Sequence, residues 1–563
     1  MAEICASAAP ISTKNTSVEE LRRSVTYHPS VWRDHFLSYT NDVTEITAAE
    51  KEELEKQKEK VKNLLDQTPN DSTLKIELID AIQRLGFGYH FEEVIDESLG
   101  EVYDRYEMPS GKDDEDEIRV RSLRFRLLRQ QGYRVPCDVF EKLLDDKGNF
   151  KDSLITDVEG LLSLYEASNY GINGEEIMDK ALKFSSSHLE GSIHKMPTSL
   201  SRRVKEALDM PISKTLTRLG ARKFISLYQE DESHNELLLK FAKLDFNIVQ
   251  KMHQRELHHI TRWWEGLEFG KKLPFARDRV VECFFWILGV YFEPKYEIAR
   301  RFLTKVISMT SILDDIYDVY GSLDELRRLT HAIQRWDISV GDELPPYMRI
   351  CYEALLGVYS EMEDEMAKKG QSYRLLYARQ EMIKLVMAYM VEAEWCFSKY
   401  FPTMEEYMKQ ALVSGAYMML STTSLVGMED LNITKHDFDW ITSEPPMLRA
   451  ASVICRLMDD MVGHGIEQKI ISVDCYMREN GCSKEEACRE FWNRVKKAWK
   501  CMNEECLEPR AASMAILARV LNLARVINLL YVGEDAYGSS STKTKNFIKS
   551  VLVDPIHSIE YHI

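Results

Sequence analysis

The chain has 563 residues, 44% of them hydrophobic, and a formal charge of -18. That length suits two large domains or one elaborated bundle, and 25 Gly with 16 Pro are too few for a turn-rich all-β architecture. Nothing basic and extended is available to neutralise a phosphate backbone, so nucleic acid is excluded as an expected partner, and a polyphosphate would have to be met through metal ions.

Residues 1–20, rich in Ala, Ser and Thr, are expected to be disordered. They have no apolar h-region, and their acids precede the first Arg, at position 22, so no leader is expected and a cytosolic location is. Arg22 and Arg23 stand before Trp32 at a spacing that carries no mechanism by itself. Amphipathic helices are predicted over Glu45–Leu65, Leu74–Leu85, Ile118–Gln131 and Asp157–Ala167, separated by Pro and Gly breakers. The polar stretch Gln229–Asn235 is the candidate boundary, giving a first domain over 21–232 and a second over 233–563. Beyond it the apolar segments Leu237–Leu257, Val280–Phe292 and Ala515–Val532 lengthen, and no period-2 strand pattern of useful length appears. The fold class is all-α. The longest apolar run, Cys283 to Phe292, is about half of the ~20 residues a membrane span needs. Eleven cysteines without a CxxC pair read as reduced, buried thiols.

Within this frame Asp314-Asp315-Ile316-Tyr317-Asp318 places three carboxylates on a helix that continues the apolar spacing of Phe302, Val306 and Met309. One reading is a solvated helix end; the other is a site for a hard cation such as Mg2+, which relieves the repulsion. A second helix, opening near Ser443, carries Asp459, Gly463 and Glu467 at i, i+4, i+8, with Arg456 and Ser452 extending the same polar row. Taken alone it is equally an exposed helix with an Arg456–Asp460 pair. Arg277-Asp278-Arg279 precedes the aromatic run Phe284-Phe285-Trp286, and arginine forks match phosphate oxygens. Trp286, Tyr417, Tyr531 and Tyr537 are, by spacing alone, more often core than ligand-facing. Paired acidic stripes, a few arginines and aromatic walls together suit ionisation of an allylic diphosphate, where metal takes up the leaving group's charge and a dry aromatic cavity shelters the carbocation.

These strings resemble the plant class I terpene synthases, most closely cytosolic sesquiterpene synthases of flowering plants. Asp314-Asp315-Ile-Tyr-Asp318 is similar to the DDxxD motif, Asp459 to Glu467 to the second metal motif, Arg277-Asp-Arg279 to RxR, and Arg22-Arg23 with Trp32 to RRx8W. Leu123–Arg129, Gly160–Ala167 and Arg279–Cys283 also read like family members. The resemblance implies an N-terminal helical barrel without catalysis of its own and a C-terminal class I α-bundle holding the site. It implies a Mg2+-dependent enzyme, with Mn2+ as the alternative ion, that converts farnesyl diphosphate to a sesquiterpene hydrocarbon or alcohol and releases diphosphate. Three ions are implied: Asp314, Asp315 and Asp318 holding two, and Asp459, Gly463 and Glu467 forming the third position. Substrate contacts fall to Arg277, Asp314, Asp318, Arg456 and Asp459, with Arg279 beside them. Trp286, Tyr531, Asp535 and Tyr537 line the pocket and steer proton transfers. The partner implied is a prenyl diphosphate alone, bound by a monomer.

Alternatives kept open are use of geranyl diphosphate, chain-elongating prenyl transfer, and an inactive helical protein that only binds prenyl diphosphates. Position 463 is Gly where the family often has Ser or Thr, Gly465 loosens the same turn, and the loop after Lys469 is shorter than the family pattern. Weakened closure over the site is the expected consequence, with more water-quenched alcohol or acyclic product.

Overall fold

The computed structural model describes residues 27, 29–32, 34–70, 72–107, 117–429, 433–465, 469–539 and 542–557. Residues 1–20 and the Arg22–Arg23 pair lie outside them. Among the described residues there are helices, turns and one isolated bridge, Leu144 to Phe150, and no strand. No described helix is long and apolar enough to cross a membrane.

The first half comprises α1 (Ala48–Gln67), α2 (Thr73–Arg84), α3 (Glu92–Glu107), α4 (Ile118–Gln131), α5 (Val158–Ser168), α6 (Glu176–Ser192), α7 (Thr198–Asp209) and α8 (Thr217–Gln229). Local chemistry sets their ends. Thr47 and Glu50 form a reciprocal capping box at α1, Ser72 accepts from Lys75 N at α2, and Gly132 closes α4 in the left-handed region at φ +104°. Gly132 also needs its missing Cβ, which would stand 2.9 Å from the Cys506 carbonyl oxygen of the second half. Its own carbonyl accepts from Glu508 N at 2.7 Å, so this helix end is a hinge point between the halves.

The second half runs α9 (Glu236–Leu267), α10 (Phe269–Lys272), α11 (Val280–Val290), α12 (Glu297–Asp315), α13 (Leu323–Arg335), α14 (Pro346–Ala367), α15 (Tyr373–Ser398) and α16 (Met404–Ser414). It continues with α17 (Tyr417–Ser424), α18 (Lys435–Thr442), α19 (Pro446–Gly463), α20 (Ser472–Asn480), α21 (Lys484–Glu505), α22 (Met514–Leu530) and α23 (Thr542–Leu552). The 32-residue α9 joins two cores. Leu238, Phe241 and Phe246 pack with Ile79, Phe125 and Leu164 of the first half, whereas Leu257, Ile260 and Trp264 pack with α11 and α12. Trp32 and Phe36, from the start of the chain, also belong to the second core.

Sequence periodicity ended α9 at Leu257; the helix continues ten residues because tertiary packing takes over. His258 meets the Phe36 carbonyl at 3.2 Å, and Trp264 donates to Asp278 Oδ1 at 2.9 Å. Arg300 then fixes α12 to α9. It is fully buried and paired bidentately with Glu256 at 2.8 and 2.7 Å, while its remaining N–H groups reach the Tyr291 and Glu293 carbonyls. A buried charge is tolerable only when satisfied in this way, and here it orients the helix whose far end carries Asp314 and Asp315.

Two outcomes follow from this packing. A Cβ at Gly427 would sit 2.7 Å from Ala299 Cα and 2.9 Å from its N, with backbone rather than a pliable side chain opposing it. Gly427→Ala is therefore expected to cost about 1–3 kcal/mol and lower the thermal midpoint by several degrees in calorimetry. Burial raises the Glu166 carboxyl from 4.5 to about 7. An acid raised on folding binds more protons folded than unfolded, so its penalty grows as pH climbs through that window and is complete above it. Glu166→Gln is expected to raise the thermal midpoint at pH 8, with the gain vanishing by pH 5.

Candidate metal and diphosphate site

The acidic stretch does not sit on one regular helix face. The α12 helix ends at Asp315, and Ile316–Tyr320 forms a π-helical turn. The wider turn places Asp318 outside the regular α-helix that carries Asp314 and Asp315, a device common at functional sites. Asp315 is fully buried, while the Asp314 and Asp318 side chains keep 29% and 22% exposure.

Two cations meet the three carboxylates. Arg277 reaches Asp314 through its Nη2 at 2.5 Å and accompanies Asp315, whose Oδ2 accepts from Arg277 N at 2.7 Å. Arg277 Nε and Asp315 Oδ1 are an ion pair at 2.9 Å but are not aligned as a hydrogen bond. Asp318 is paired with Lys469 Nζ. Burial raises the Asp315 carboxyl, opposed by Arg277, and pushes the nearby Tyr389 hydroxyl up, with Asp314 and Asp318 adding to it.

The second stripe is organised around Arg456, which is 5% exposed and pairs with Asp459 and, at 2.7 Å, with Asp460. Asp460 is wholly buried and accepts from Tyr407 Oη and Ser472 N, both at 2.9 Å. An exposed Arg456–Asp460 pair is thereby ruled out: both groups are interior. The stripe also stops earlier than its i, i+4, i+8 spacing predicts. The α19 helix ends at Gly463, His464 leaves helical geometry at ψ 119°, and Gly465 turns the chain at φ +86°. Two glycines flanking one residue make continuation costly, and Gly465 supplies the left-handed conformation that other residues resist. Gly463 is buried at the helix terminus; Glu467 lies outside the described residues.

Lys469 connects the stripes, since it follows α19 in the chain and pairs with Asp318 at the end of α12. Near it on α15 stands Glu392, raised to about 7 by burial although Lys469 and Arg456 oppose the shift. Ser414 Oγ donates to Glu392 at 2.5 Å, directly before a break at Gly415-Ala416 in which Ala416 adopts φ +64°. The apolar stretch through Ser414-Gly415-Ala416 is thus two helices, α16 and α17. Glu392, Lys469 and Tyr407 escaped the sequence reading because each is a single polar residue brought in by tertiary packing.

The remaining predicted residues divide between wall and scaffold. Trp286 on α11 meets Tyr531 and Tyr537 edge to face, with centroids at 6.2 and 5.4 Å. Arg277 lies over the rings of Tyr27 and Tyr537 at 5.3 and 5.7 Å. Tyr27 also acts on Asp315, so the start of the described chain reaches the acidic stretch. Asp535 Oδ1 accepts from Tyr537 N and Gly538 N at 3.0 and 2.8 Å, shaping the loop that presents Tyr537. Arg279 is 1% exposed, and its guanidinium donates to the Tyr537 and Gly538 carbonyls at 3.3 and 2.9 Å. In this arrangement Arg279 and Asp535 clamp the same loop from both sides, and Tyr537 Oη donates to Ser311 Oγ on α12 at 2.9 Å.

The donor set suits Mg2+ and diphosphate. Asp314, Asp318 and Asp459 offer partly exposed carboxylate oxygens, the hard ligands that Mg2+ takes while keeping water and phosphate in its shell. Arg277 Nε and Arg456 Nε are buried donors with no hydrogen-bond acceptor among the described residues, available to an anion entering between them. Among the described residues no three His, Cys or acidic groups converge on a single point, and the carboxylates are instead paired with Arg277, Arg456 and Lys469. A divalent metal would be held by the exposed carboxylates Asp314, Asp318 and Asp459, with Arg277 and Arg456 beside them.

Comparison with known proteins agrees with this geometry. Residues 31–208 match the terpene synthase N-terminal domain, and residues 265–501 match the terpene synthase family metal binding domain. A germacrene-D synthase of Ocimum basilicum is 70% identical, covering 99% of this chain and 100% of its own. A selinene synthase of the same species is 60% identical, covering 98% and 99%. The crystal structure of isoprene synthase from grey poplar, Populus x canescens, with three Mg2+ ions and dimethylallyl-S-thiolodiphosphate superposes with a TM-score of 0.85 at 34% identity, covering 91% of this chain and 98% of that one. With both halves matched in chain order and full-length relatives at high identity, this chain belongs to the terpene synthase family.

Proposed function

We propose that the chain is a sesquiterpene synthase that ionises farnesyl diphosphate with Mg2+, folds the resulting carbocation against an aromatic wall, and ends by deprotonation or water capture. The observation that carries this reading is the pairing of Asp314, Asp318 and Asp459 with Arg277, Lys469 and Arg456 around one apolar bundle. Relatives at 60–70% identity over nearly the whole length are named for sesquiterpene products, which supports the farnesyl substrate over the geranyl one. The three ions bound by the similar isoprene synthase support the same number here, held by Asp314, Asp315, Asp318, Asp459 and Glu467.

Mg2+ supplies charge neutralisation of the departing diphosphate. The protein supplies the rest. Arg277 and Arg456 present forked donors to the phosphate oxygens, and Lys469 adds a point charge at the same end. Trp286, Tyr531 and Tyr537 form a buried aromatic cluster whose π faces would stabilise a cation away from bulk water. Tyr27 covers Arg277 from the start of the chain, closing the polar end.

Incubating the protein with farnesyl diphosphate and Mg2+ is expected to yield sesquiterpenes by gas chromatography together with released diphosphate, and EDTA is expected to abolish both. Turnover of geranyl diphosphate with no farnesyl turnover would overturn the substrate assignment. Asp314→Asn is expected to lower kcat by about 10²-fold or more, because the leaving group's charge is left partly uncompensated. Lys469→Met removes an ammonium that competes for Asp318; half-saturating Mg2+ is expected to fall by roughly threefold, the scale of a partly exposed ion pair.

A further inference from the structure

One cavity, of about 470 Å3, lies away from the acidic stripes. It lies where the two halves meet, walled by α2, α4, α5, α7 and α8 on one side and by α22 and α23 on the other. Its volume is in the range of sites for small organic ligands, ~300–1,000 Å3. Leu216, Leu219, Leu227, Leu529 and Phe547 give it an apolar body. Basic side chains outnumber acidic ones around that body, in a chain whose overall charge is -18.

The basic groups fall into two sets. Arg84 and Arg126 are matched by Asp80, and Arg203 by Glu159 at 2.6 and 2.9 Å, so these three are spoken for. Lys214, Lys223, Arg525 and Lys543 have no carboxylate partner among the described residues. Lys214 sits over the Trp499 ring at 5.3 Å, and Arg525 reaches only the Ser213 carbonyl and Asn522 Oδ1, both at 2.9 Å. Burial pulls the Lys214 ammonium down to about 8, with Lys496 adding to it, and lowers Arg525 as well. Desolvated cations without counter-charge are costly, and two brought together from opposite walls of an apolar cavity, where Arg525 reaches the Ser213 carbonyl beside Lys214, form a receptor for an anion with an apolar tail.

We propose that this interdomain cavity is a second ligand site, distinct from the catalytic one, for a phosphate monoester or diphosphate carried on an apolar chain. The head is held by Lys214 and Arg525, the tail lies along Leu216, Leu219 and Leu529, and Lys543 attends the rim. Occupancy braces α22 against α8. Because Tyr531 directly follows α22, a ligand here bears on the position of the aromatic wall.

The test uses decyl phosphate, below its micellar concentration and in EDTA, with the full-length protein, against decanol and inorganic phosphate. Calorimetry is expected to show saturable binding of one decyl phosphate per chain, at least about tenfold tighter than either fragment, since head and tail are both recognised. Hydrogen exchange is expected to slow over 212–227 and 542–552. Lys214→Met and, as a rim variant that leaves the interior intact, Lys543→Met are each expected to weaken binding while keeping the native thermal midpoint within a few degrees. Absence of saturable binding, protection over 277–318 instead, or affinity unchanged in both variants would overturn the proposal.

Discussion

Five carboxylates stand at the ends of two helices inside an apolar bundle, and their neutralisation is the constraint on which the catalytic half depends. Unpaired, Asp315 and Asp460 could not be buried at all; the cost of placing an ionised carboxylate in such surroundings far exceeds the stability of a domain. Arg277 and Arg456 meet that requirement, the first from a different element and the second from the same helix. Arg277 comes from the loop before α11, and Arg456 from one turn back on α19. The same arginines are suited to a diphosphate, so the interactions that keep the site folded are those that substrate and metal must exchange. Stability and function draw on one set of charges.

Helix termination is the second device. The α12, α16 and α19 helices each end or break at the site, through the π-turn at Ile316–Tyr320, the left-handed Ala416 and the Gly463–Gly465 turn. A continuous helix would satisfy its own backbone and point its side chains along fixed rows. Breaking it at these places turns Asp318 toward Lys469 and brings Ser414 to Glu392. Residues in sparsely populated conformations cluster where geometry matters, and Ala416 is held there by packing that over-determines it.

How much of this was legible in the sequence depends on whether the information was local. The limits of α4 were readable because breakers flank it, and the acidic stretch because its carboxylates are adjacent in the chain. The aromatic wall was readable only as residue types, since Trp286, Tyr531 and Tyr537 have no spacing that separates a lining ring from a core ring. The inward row Asp459, Gly463, Glu467 was drawn on a helix that stops at its middle member, because periodicity counts residues and cannot weigh two glycines against a continuing pattern. Glu392 gave no signal: one acid on a long amphipathic helix looks like any exposed one until Ser414, Lys469 and Arg456 surround it. Arg279 and Asp535 were legible as functional positions, yet what they do here, holding Tyr537 through backbone groups, is visible only once the loop is seen.

The turn after α19 gains its importance from Asp460. One buried carboxylate binds Arg456 within α19 and Ser472 N at the start of α20, so it ties together the two ends of the segment that contains Lys469. Tyr407 adds a third hold from α16. With both ends fixed, a short connection confines Lys469 to the neighbourhood of Asp318, where a longer one would let it swing away. Lys469 is thereby a tethered ammonium, joining the segment after α19 to the acidic end of α12 through Asp318.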